Sequence, residues 1–450
     1  MTPLYQISKK DGKKGDINLN IALNNERRTV NSLSGAIWRW HFYAGMVFAP
    51  FLILLAITGG IYLFKPQIES LLYKNYYYVQ AEGQKLPASK QFEKVKESHP
   101  DGQFTRYKPG VEGYRSSEVG ILDGNKSLTV FVNPYNGKIV GELDDVDRFM
   151  AQIEKLHGQL MVGKVGDLLI ELAVCWGLIL SITGMYLWRP KDRKGVFKRL
   201  ILREKRGKRA FWRDIHAVTG FLMSLGIVFL ILTGLPWTGF WGQQVQKIGT
   251  NTGTGIPAPV WGETPKSTEP AKGNVSSISI DEIVGIAESR KLYPGYDVYF
   301  PDAPKGVYTV QVFLPKSTDE ATLHIDQYNG KVLSDSRYKD YGLLGKAITT
   351  GYYLHIGAEL GLINQIVGLI ICIGIVLIVV TGILMWWKRK PNNKLGAPPQ
   401  PKNFKMEKGL ALIIVIFSII FPLVGVSLLF VFLLDWLVTR RIHRVKQWIG

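Results

Sequence analysis

Residues 40–64 read WHFYAGMVFAPFLILLAITGGIYLF and contain no charged side chain. A helix rises about 1.5 Å per residue, so this stretch is long enough to cross a hydrocarbon core about 30 Å thick. It is longer than the apolar core of a signal peptide, and it ends in the bulky Tyr62 and Phe64 rather than at a small-residue cleavage site. We therefore expect it to remain in the mature protein as a membrane helix.

Four further stretches lack charge over a comparable length, at residues 172–188, 215–246, 360–387 and 409–434. Together they predict an α-helical polytopic membrane protein. The last stretch has two open interpretations. It either crosses once, or breaks near Pro422 and Gly425 into a hairpin of two short helices.

Composition and charge exclude several other classes. Hydrophobic residues make up 46% of the chain, which argues against disorder, and the two cysteines lie in apolar runs, which excludes a disulfide scaffold or a zinc finger. The net charge of +19 is concentrated in short segments: residues 189–213 hold twelve basic and two acidic side chains. Nucleic-acid binding is the competing explanation, but basic runs beside membrane helices are typical of cytoplasmic loops.

The positive-inside rule then orients the chain, with the N-terminus and the basic loops in the cytoplasm and two segments of roughly a hundred residues outside. The predicted layout is a cytoplasmic segment 1–37, a first membrane helix 38–64, an external domain 65–164, a second helix 165–188, a basic loop 189–213, a third helix 214–241, a second external domain 242–359, a fourth helix 360–387, a basic loop 388–408, a crossing or hairpin 409–438 and a basic tail 439–450.

Both external segments show the pattern of a small α+β domain. Residues 128–140 (LTVFVNPYNGKIV) and 321–333 (ATLHIDQYNGKVL) alternate apolar and polar side chains up to an Asn-Gly pair, which predicts a β-hairpin in each. Residues 277–290 predict a helix, and residues 91–100 are its counterpart in the first segment. Residues 249–270 predict a loop.

An internal repeat becomes visible when the membrane helices are aligned. His41 is followed four residues later by Gly45 and seventeen later by Thr58, and His216 is followed at the same spacings by Gly220 and Thr233. His157 precedes Thr183 by twenty-six residues, and His355 precedes Thr381 by the same number; a glycine follows each of the four threonines. The chain is thus predicted to be two copies of helix, external domain and helix.

The four matched histidines are the candidate ligands, because ionisable residues in membrane segments are costly and neutral imidazole is a common axial ligand of haem iron. Histidines of one repeat are separated by about a membrane thickness, so an iron must be shared between repeats. This predicts two haems, one held by His41 and His216 on the inner side and one by His157 and His355 on the outer side.

Several residues near these histidines have more than one interpretation. Gly45 and Gly220 either leave room for a flat macrocycle or let helices pack closely. Arg39 and Arg213 either bind haem propionates or anchor helix ends at the interface. For Glu171 the alternatives are proton transfer and a water-facing helix end, and a water-facing end also accounts for Asp167. The four Thr-Gly pairs are interpreted as packing features.

With these residues in hand, the chain resembles the PepSY-associated transmembrane family, and within it the bacterial ferrisiderophore reductases. The resemblance extends from about Ser34 to the C-terminal tail. It rests on the WRWHFYAG opening, the two YNGK segments, the runs LH...TGMYLWRP and LH...TGILMWWKRKP, and the closing PLVGVSLLFVFLLD. In one departure, the arginine of WRDIHAVTG stands three residues before its histidine instead of two, which weakens a propionate role for Arg213 more than a ligand role for His216.

The resemblance implies two periplasmic PepSY-like domains on a bacterial inner-membrane protein with b-type haem, which reduces a periplasmic ferric siderophore and releases Fe(II). The sequence has no Gly-x-Gly-x-x-Gly motif after a strand and no cytoplasmic segment large enough for a flavin or nicotinamide domain. Electrons are therefore expected from a quinol or from a separate reductase. The rival hypotheses are an envelope protein whose external domains bind or regulate a peptidase, and a transporter built from parallel repeats.

Overall fold

The computed structural model describes residues 9–189, 208–269, 276–313, 316–392, 394–398, 408–439, 441, 442, 445 and 448. The predicted basic loop 189–213 lies mostly outside the described residues. The same holds for residues 1–8, for residues 399–407 of the second basic loop, and for most of the predicted tail.

Four helices in the described residues are long and apolar enough to span a membrane: Leu33–Tyr62, Lys164–Trp188, Ala210–Trp237 and Leu362–Trp387. They belong to the elements α1 (Lys9–Tyr62), α6 (Lys164–Trp188), α7 (Lys208–Gly234) and α11 (Leu362–Trp387). These spans lie where the uncharged stretches predict them, and the protein is a polytopic membrane protein with an antiparallel sheet.

The helices outside these spans are short. They are α2 (Lys65–Leu72), α3 (Lys74–Tyr77), α4 (Ala88–Ser98), α5 (Phe149–Gln159), α8 (Gly239–Thr252), α9 (Ile280–Ser289), α10 (Leu343–His355), α12 (Lys408–Ile420) and α13 (Pro422–Leu434). The chain divides into two compact units. The first unit comprises Met1–Leu54, Glu171–Ile231 and Gly374–Gly450, and the second comprises Leu55–Ile170 and Leu232–Ile373.

The third spanning helix ends earlier than predicted. Its α-helical part stops at Gly234, residues Leu235–Trp237 form a 3-10 turn around Pro236, and α8 starts at Gly239. Proline lacks the N–H that would continue the helix, which explains the break. The predicted loop 249–270 accordingly begins inside the last turn of α8.

The last apolar stretch forms two helices in the first unit. Between α12 and α13, Phe421 has ψ of 81°, and Pro422 occupies the first turn of α13. The Leu395 N–H, which follows α11, donates to the Trp448 carbonyl over 2.8 Å. Trp448, which follows α13, therefore lies next to the segment that precedes α12.

The second unit contains one eight-stranded antiparallel sheet in the order β4-β3-β2-β1-β5-β6-β7-β8. The strands are β1 (Gln103–Lys108), β2 (Ser117–Asp123), β3 (Lys126–Val132), β4 (Ile139–Asp144), β5 (Asp297–Tyr299), β6 (Val307–Val312), β7 (Ala321–Asp326) and β8 (Val332–Arg337). Each segment supplies a helix followed by a four-stranded meander. Hairpins β3–β4 and β7–β8 close at the predicted Asn-Gly pairs.

The sheet differs from the expectation of two separate external domains, because β1 pairs with β5 through Arg106 with Tyr299 and Tyr107 with Val298. The Arg106 guanidinium bonds to the Asp297 carboxylate at 3.0 Å and to that of Glu118 at 3.1 Å. Helices α4 and α9 cover a common hydrophobic core with both halves of the sheet. Pairing β1 with β5 removes two open strand edges, which separate domains would have left exposed.

A buried carboxyl in this unit gives a pH prediction. Glu320 is 9% exposed, accepts a hydrogen bond from the Tyr341 hydroxyl at 3.1 Å, and has its pKa raised by burial from 4.5 to about 7. A raised pKa means that the folded state binds the proton more tightly than the unfolded chain. The stability this adds is complete below pH 4.5 and is lost as the pH rises through about 7.

We therefore expect the thermal midpoint of the parent to fall by a few degrees between pH 5 and pH 8, for a loss on the order of 1–3 kcal/mol. Glu320→Gln should flatten this dependence, whereas Glu82→Gln, at an exposed site, should keep it. Differential scanning fluorimetry in detergent measures the thermal midpoint of the parent and of both variants at each pH. Equal slopes for the parent and Glu320→Gln would contradict the assignment.

Candidate functional site: two histidine pairs

The four repeat-matched histidines fall into two pairs. His41 on α1 and His216 on α7 belong to the first unit, whereas His157 at the end of α5 and His355 at the end of α10 belong to the second unit. We refer to them as the first-unit pair and the second-unit pair. Each unit thus combines one histidine from each half of the chain, which is the combination that the sequence predicts.

The rings of the first-unit pair lie close together in a T-shaped arrangement. Their centroids lie 6.5 Å apart and their planes are nearly perpendicular, at 87°. Two imidazoles on opposite sides of one metal ion, each bound at about 2 Å, have ring centres roughly 6 Å apart. The observed separation therefore fits a shared metal ion.

Both histidines of the second-unit pair are half-buried, and they are close enough for the charge of one to act on the other. Burial, together with the positive charge that His355 would carry, lowers the pKa of His157 to about 4. His157 is therefore neutral at physiological pH. The neutral imidazole is the form that binds a metal.

Each of the four histidines makes a hydrogen bond through Nδ1 to the threonine of a Thr-Gly pair on another helix. The distances from Nδ1 to the threonine Oγ1 are 2.9 Å for His41 with Thr183, 2.8 Å for His157 with Thr58, 3.0 Å for His355 with Thr233 and 3.3 Å for His216 with Thr381. The Nδ1 of His216 also lies 2.9 Å from the carbonyl oxygen of Ile378.

The threonine hydrogen bonds determine which ring nitrogen carries the proton. The Thr183 hydroxyl donates its one hydrogen to the Ile179 carbonyl at 2.7 Å, and that of Thr381 donates to the Leu377 carbonyl at 2.6 Å. Each hydroxyl must then accept from the histidine, so His41 and His216 carry the proton on Nδ1. The Ile378 carbonyl can only accept, which requires the same form of His216. Nε2 therefore holds the lone pair that can bind a metal.

The glycine after each threonine gives the imidazole its space. A Cβ at these positions would lie 3.2 to 3.4 Å from the Cε1 atom of the same histidine, which is tighter than ordinary contact. The glycines are Gly59 against His157, Gly184 against His41, Gly234 against His355 and Gly382 against His216. The sequence interpretation of the Thr-Gly pairs as packing features alone missed these contacts with histidine.

Gly45 and Gly220 lie one turn beyond His41 and His216. Among the described residues, a Cβ at Gly220 would meet no atom within 4 Å beyond its own helix, and a Cβ at Gly45 would meet only Leu180, at 3.9 Å. Neither glycine is therefore in close contact with a neighbouring helix among the described residues.

Arg39 and Arg213, the two predicted propionate ligands, have different surroundings. Arg39 donates to the Pro398 carbonyl, and its guanidinium lies 5.2 Å from the centre of the Tyr43 ring. Arg213 is 60% exposed and forms an ion pair with the adjacent Asp214 at 3.0 Å. Both arginines lie on the helices that carry the first-unit pair.

A model of the PepSY-associated TM region matches residues 38–389. The chain belongs to this family. The matched range includes all four histidines and all four Thr-Gly pairs of this PepSY-associated TM protein. A search of curated proteins gave no significant match.

In this family member, the helix that carries His157 is not continuous with the second spanning helix. After α5, Leu160, Met161 and Gly163 all have positive φ, and α6 starts at Lys164. One continuous helix over the twenty-six residues from His157 to Thr183 would be about 39 Å long, and the turn after α5 interrupts it. The turn instead allows His157 to reach Thr58 on α1.

The two acidic residues of α6 differ in exposure, since Asp167 is half-buried and Glu171 is buried. Glu171 is only 1% exposed, so a water-facing position is wrong for it. Asp167 accepts a hydrogen bond at 3.2 Å from the Gly239 N–H, the first residue of α8. A carboxylate at a helix N-terminus is stabilised by the helix dipole, so Asp167 has a structural role.

Proposed function

We propose that this protein is a b-type haem protein of the bacterial inner membrane that passes electrons across the membrane to a ferric siderophore in the periplasm, releasing Fe(II). The first-unit pair would hold one haem and the second-unit pair another. The electron donor would be a quinol or a separate reductase. The single observation that carries the proposal is the geometry of the four histidines.

Two features of the first-unit pair support haem binding. The 6.5 Å separation of the ring centroids would allow both imidazoles to bind one iron. The Nδ1 hydrogen bonds of His41 and His216 leave Nε2 as the ligand atom. His41 and His216 would hold one haem, and His157 and His355 would hold the second.

When bound, haem supplies reversible one-electron chemistry, and the protein provides ligands, burial and nearby charge. In this chain, Gly45 and Gly220 leave space beside the first-unit pair, and Arg39 is the better placed of the two arginines for a propionate, since Arg213 is paired with Asp214. Each ferric ion takes up one electron, and a quinol donor would release two electrons and two protons.

The proposed direction of electron transfer is inferred from the distribution of basic residues along the chain. The basic loops favour a cytoplasmic location for the helix ends near His41 and His216, and the positive-inside rule then places the sheet in the periplasm. Equivalent histidine-threonine contacts in both halves support the duplication of helix, external segment and helix. A peptidase-binding envelope protein, the main rival, would need only anchoring helices and no matched imidazole pairs.

The deciding experiment is an absorption spectrum of detergent-purified protein from haem-replete cells, oxidised and dithionite-reduced, with pyridine haemochrome counting. We expect two low-spin haems per chain. Proteoliposomes with an internal quinol donor should then reduce an external ferric chelate, detected as Fe(II) with ferrozine. A colourless protein would reject the haem proposal and favour the binding function. Dithionite-reduced haem that added ferric chelate does not reoxidise would reject the acceptor.

A further inference from the structure

We propose that the four Thr-Gly pairs are positioning residues of the haem sites, which set the orientation, tautomer and donor strength of each axial histidine. This inference rests on the proposed haem function. Thr58, Thr183, Thr233 and Thr381 each contact the Nδ1 atom of one histidine, and the following glycine faces the Cε1 atom of the same ring.

The contacts are reciprocal within each half of the chain. His41 on α1 bonds to Thr183 on α6, and His157, just before α6, bonds to Thr58 on α1. In the second half, His216 on α7 bonds to Thr381 on α11, and His355, just before α11, bonds to Thr233 on α7. One helix pair thus orients one ligand of each predicted haem.

The threonine hydroxyl acts on the metal through the ring. A hydrogen bond accepted from Nδ1–H increases the electron density at Nε2, which strengthens the bond to ferric iron and lowers the reduction potential of the site. Removing the hydroxyl should weaken haem retention and raise the potential, even though no ligand atom is removed.

The histidines do not all have the same hydrogen-bond partners at Nδ1, so the inference predicts effects of different size for different threonines. His41 has the Thr183 hydroxyl as its Nδ1 partner at 2.9 Å, whereas His216 has the Ile378 carbonyl at 2.9 Å in addition to Thr381 at 3.3 Å. The carbonyl would keep accepting from His216 after loss of the Thr381 hydroxyl. Thr183→Val should therefore have a larger effect than Thr381→Val, although both act on the same predicted haem.

The glycines set a second, steric condition. Because a Cβ at Gly184 would lie 3.3 Å from the Cε1 atom of His41, alanine there must displace the ring by a few tenths of an ångström. Gly184→Ala should therefore also loosen the haem, while leaving the hydroxyl of Thr183 in place.

The test compares full-length holoprotein variants by the rate of haem transfer to apomyoglobin and by spectroelectrochemical titration. Thr183→Val should release haem about tenfold faster and raise the potential of one haem, and Thr183→Ser should restore both values. Thr381→Val should change the release rate by no more than about twofold, because one strong acceptor remains. Ser181→Ala is the matched control, since the Ser181 hydroxyl donates to Gly177 of its own helix at 2.9 Å.

The outcomes separate this inference from the proposed function. A parent with two haems whose release rate and potentials are unchanged in Thr183→Val overturns the positioning role and leaves the haem proposal intact. Equal effects of Thr183→Val and Thr381→Val overturn the role assigned to the Ile378 carbonyl. If Thr183→Val does not fold, Gly184→Ala is compared with Thr183→Ser, and equal haem release rates and reduction potentials in these two variants overturn the positioning role. A parent purified without haem overturns both proposals.

Discussion

His41→Ala should lose about half of the bound haem, and His216→Ala should lose the same half, because each removes one axial ligand of a shared iron. The double variant should lose no more than either single variant, which is the signature of residues that act as one unit. Combining His41→Ala with His157→Ala should remove both haems. Pyridine haemochrome assays measure the number of haems per chain in all four variants. The rate of chelate reduction should fall about 100-fold in each variant.

The control for these variants is His99→Gln. His99 lies in the second unit between Asp123 and Glu142, at 3.0 and 3.1 Å, and belongs to neither pair. It should retain both haems. Additive losses from His41→Ala and His216→Ala would mean that the two histidines bind different irons, and the pairing would be wrong.

Gly166→Ala should remove the second-unit haem without changing any ligand. A Cβ at Gly166 would overlap the carbonyl oxygen of Gln159, a backbone atom that cannot rotate away. The turn between α5 and α6 would have to open, at a cost of about 2–4 kcal/mol, and His157 would move away from Thr58. We expect loss of about half of the haem and a lower thermal midpoint.

Gly285→Ala is the matched control, because a Cβ at this helical glycine of α9 meets nothing within 4 Å among the described residues. Alanine should be neutral there or stabilise the helix by about 0.5–1 kcal/mol. Retention of both haems with parental potentials in Gly166→Ala would show that the turn does not position His157.

Much of the fold follows from local signals in the sequence. Uncharged runs predict the spanning helices because the bilayer excludes charge over a known thickness. The pairs Asn136-Gly137 and Asn329-Gly330 predict two hairpins because glycine tolerates the positive φ that each turn requires, here 73° and 71°. These signals act over a few residues and need no knowledge of distant partners.

Features that depend on distant contacts were not predictable in the same way. Nothing in the short strand β5 identifies β1 as its partner, so the sequence favoured two domains. The conformation of the turn after α5 was not predictable, because Leu160 and Met161 adopt positive φ, which side chains other than glycine rarely do.

The candidate site was predictable in part. Depth in the membrane was enough to decide which histidines should pair, since it depends only on position along each helix. The threonine contacts were missed because spacing was compared along single helices, whereas each histidine bonds to the threonine of a neighbouring helix. The repetition of Thr-Gly in all four spanning helices was the available signal.

The pairing of β1 with β5 also sets the order of events during synthesis. Almost two hundred residues separate Arg106 from its partner Tyr299, so a ribosome adding about 5–20 residues per second leaves the β1 edge open for about 10–40 seconds. Arg106 and Lys108 lie on that edge, and both reach Asp297 only when β5 arrives. Basic side chains on an open edge oppose strand pairing with other chains. We therefore expect the two residues to protect the nascent half-sheet from aggregation and later to bind it to the second half.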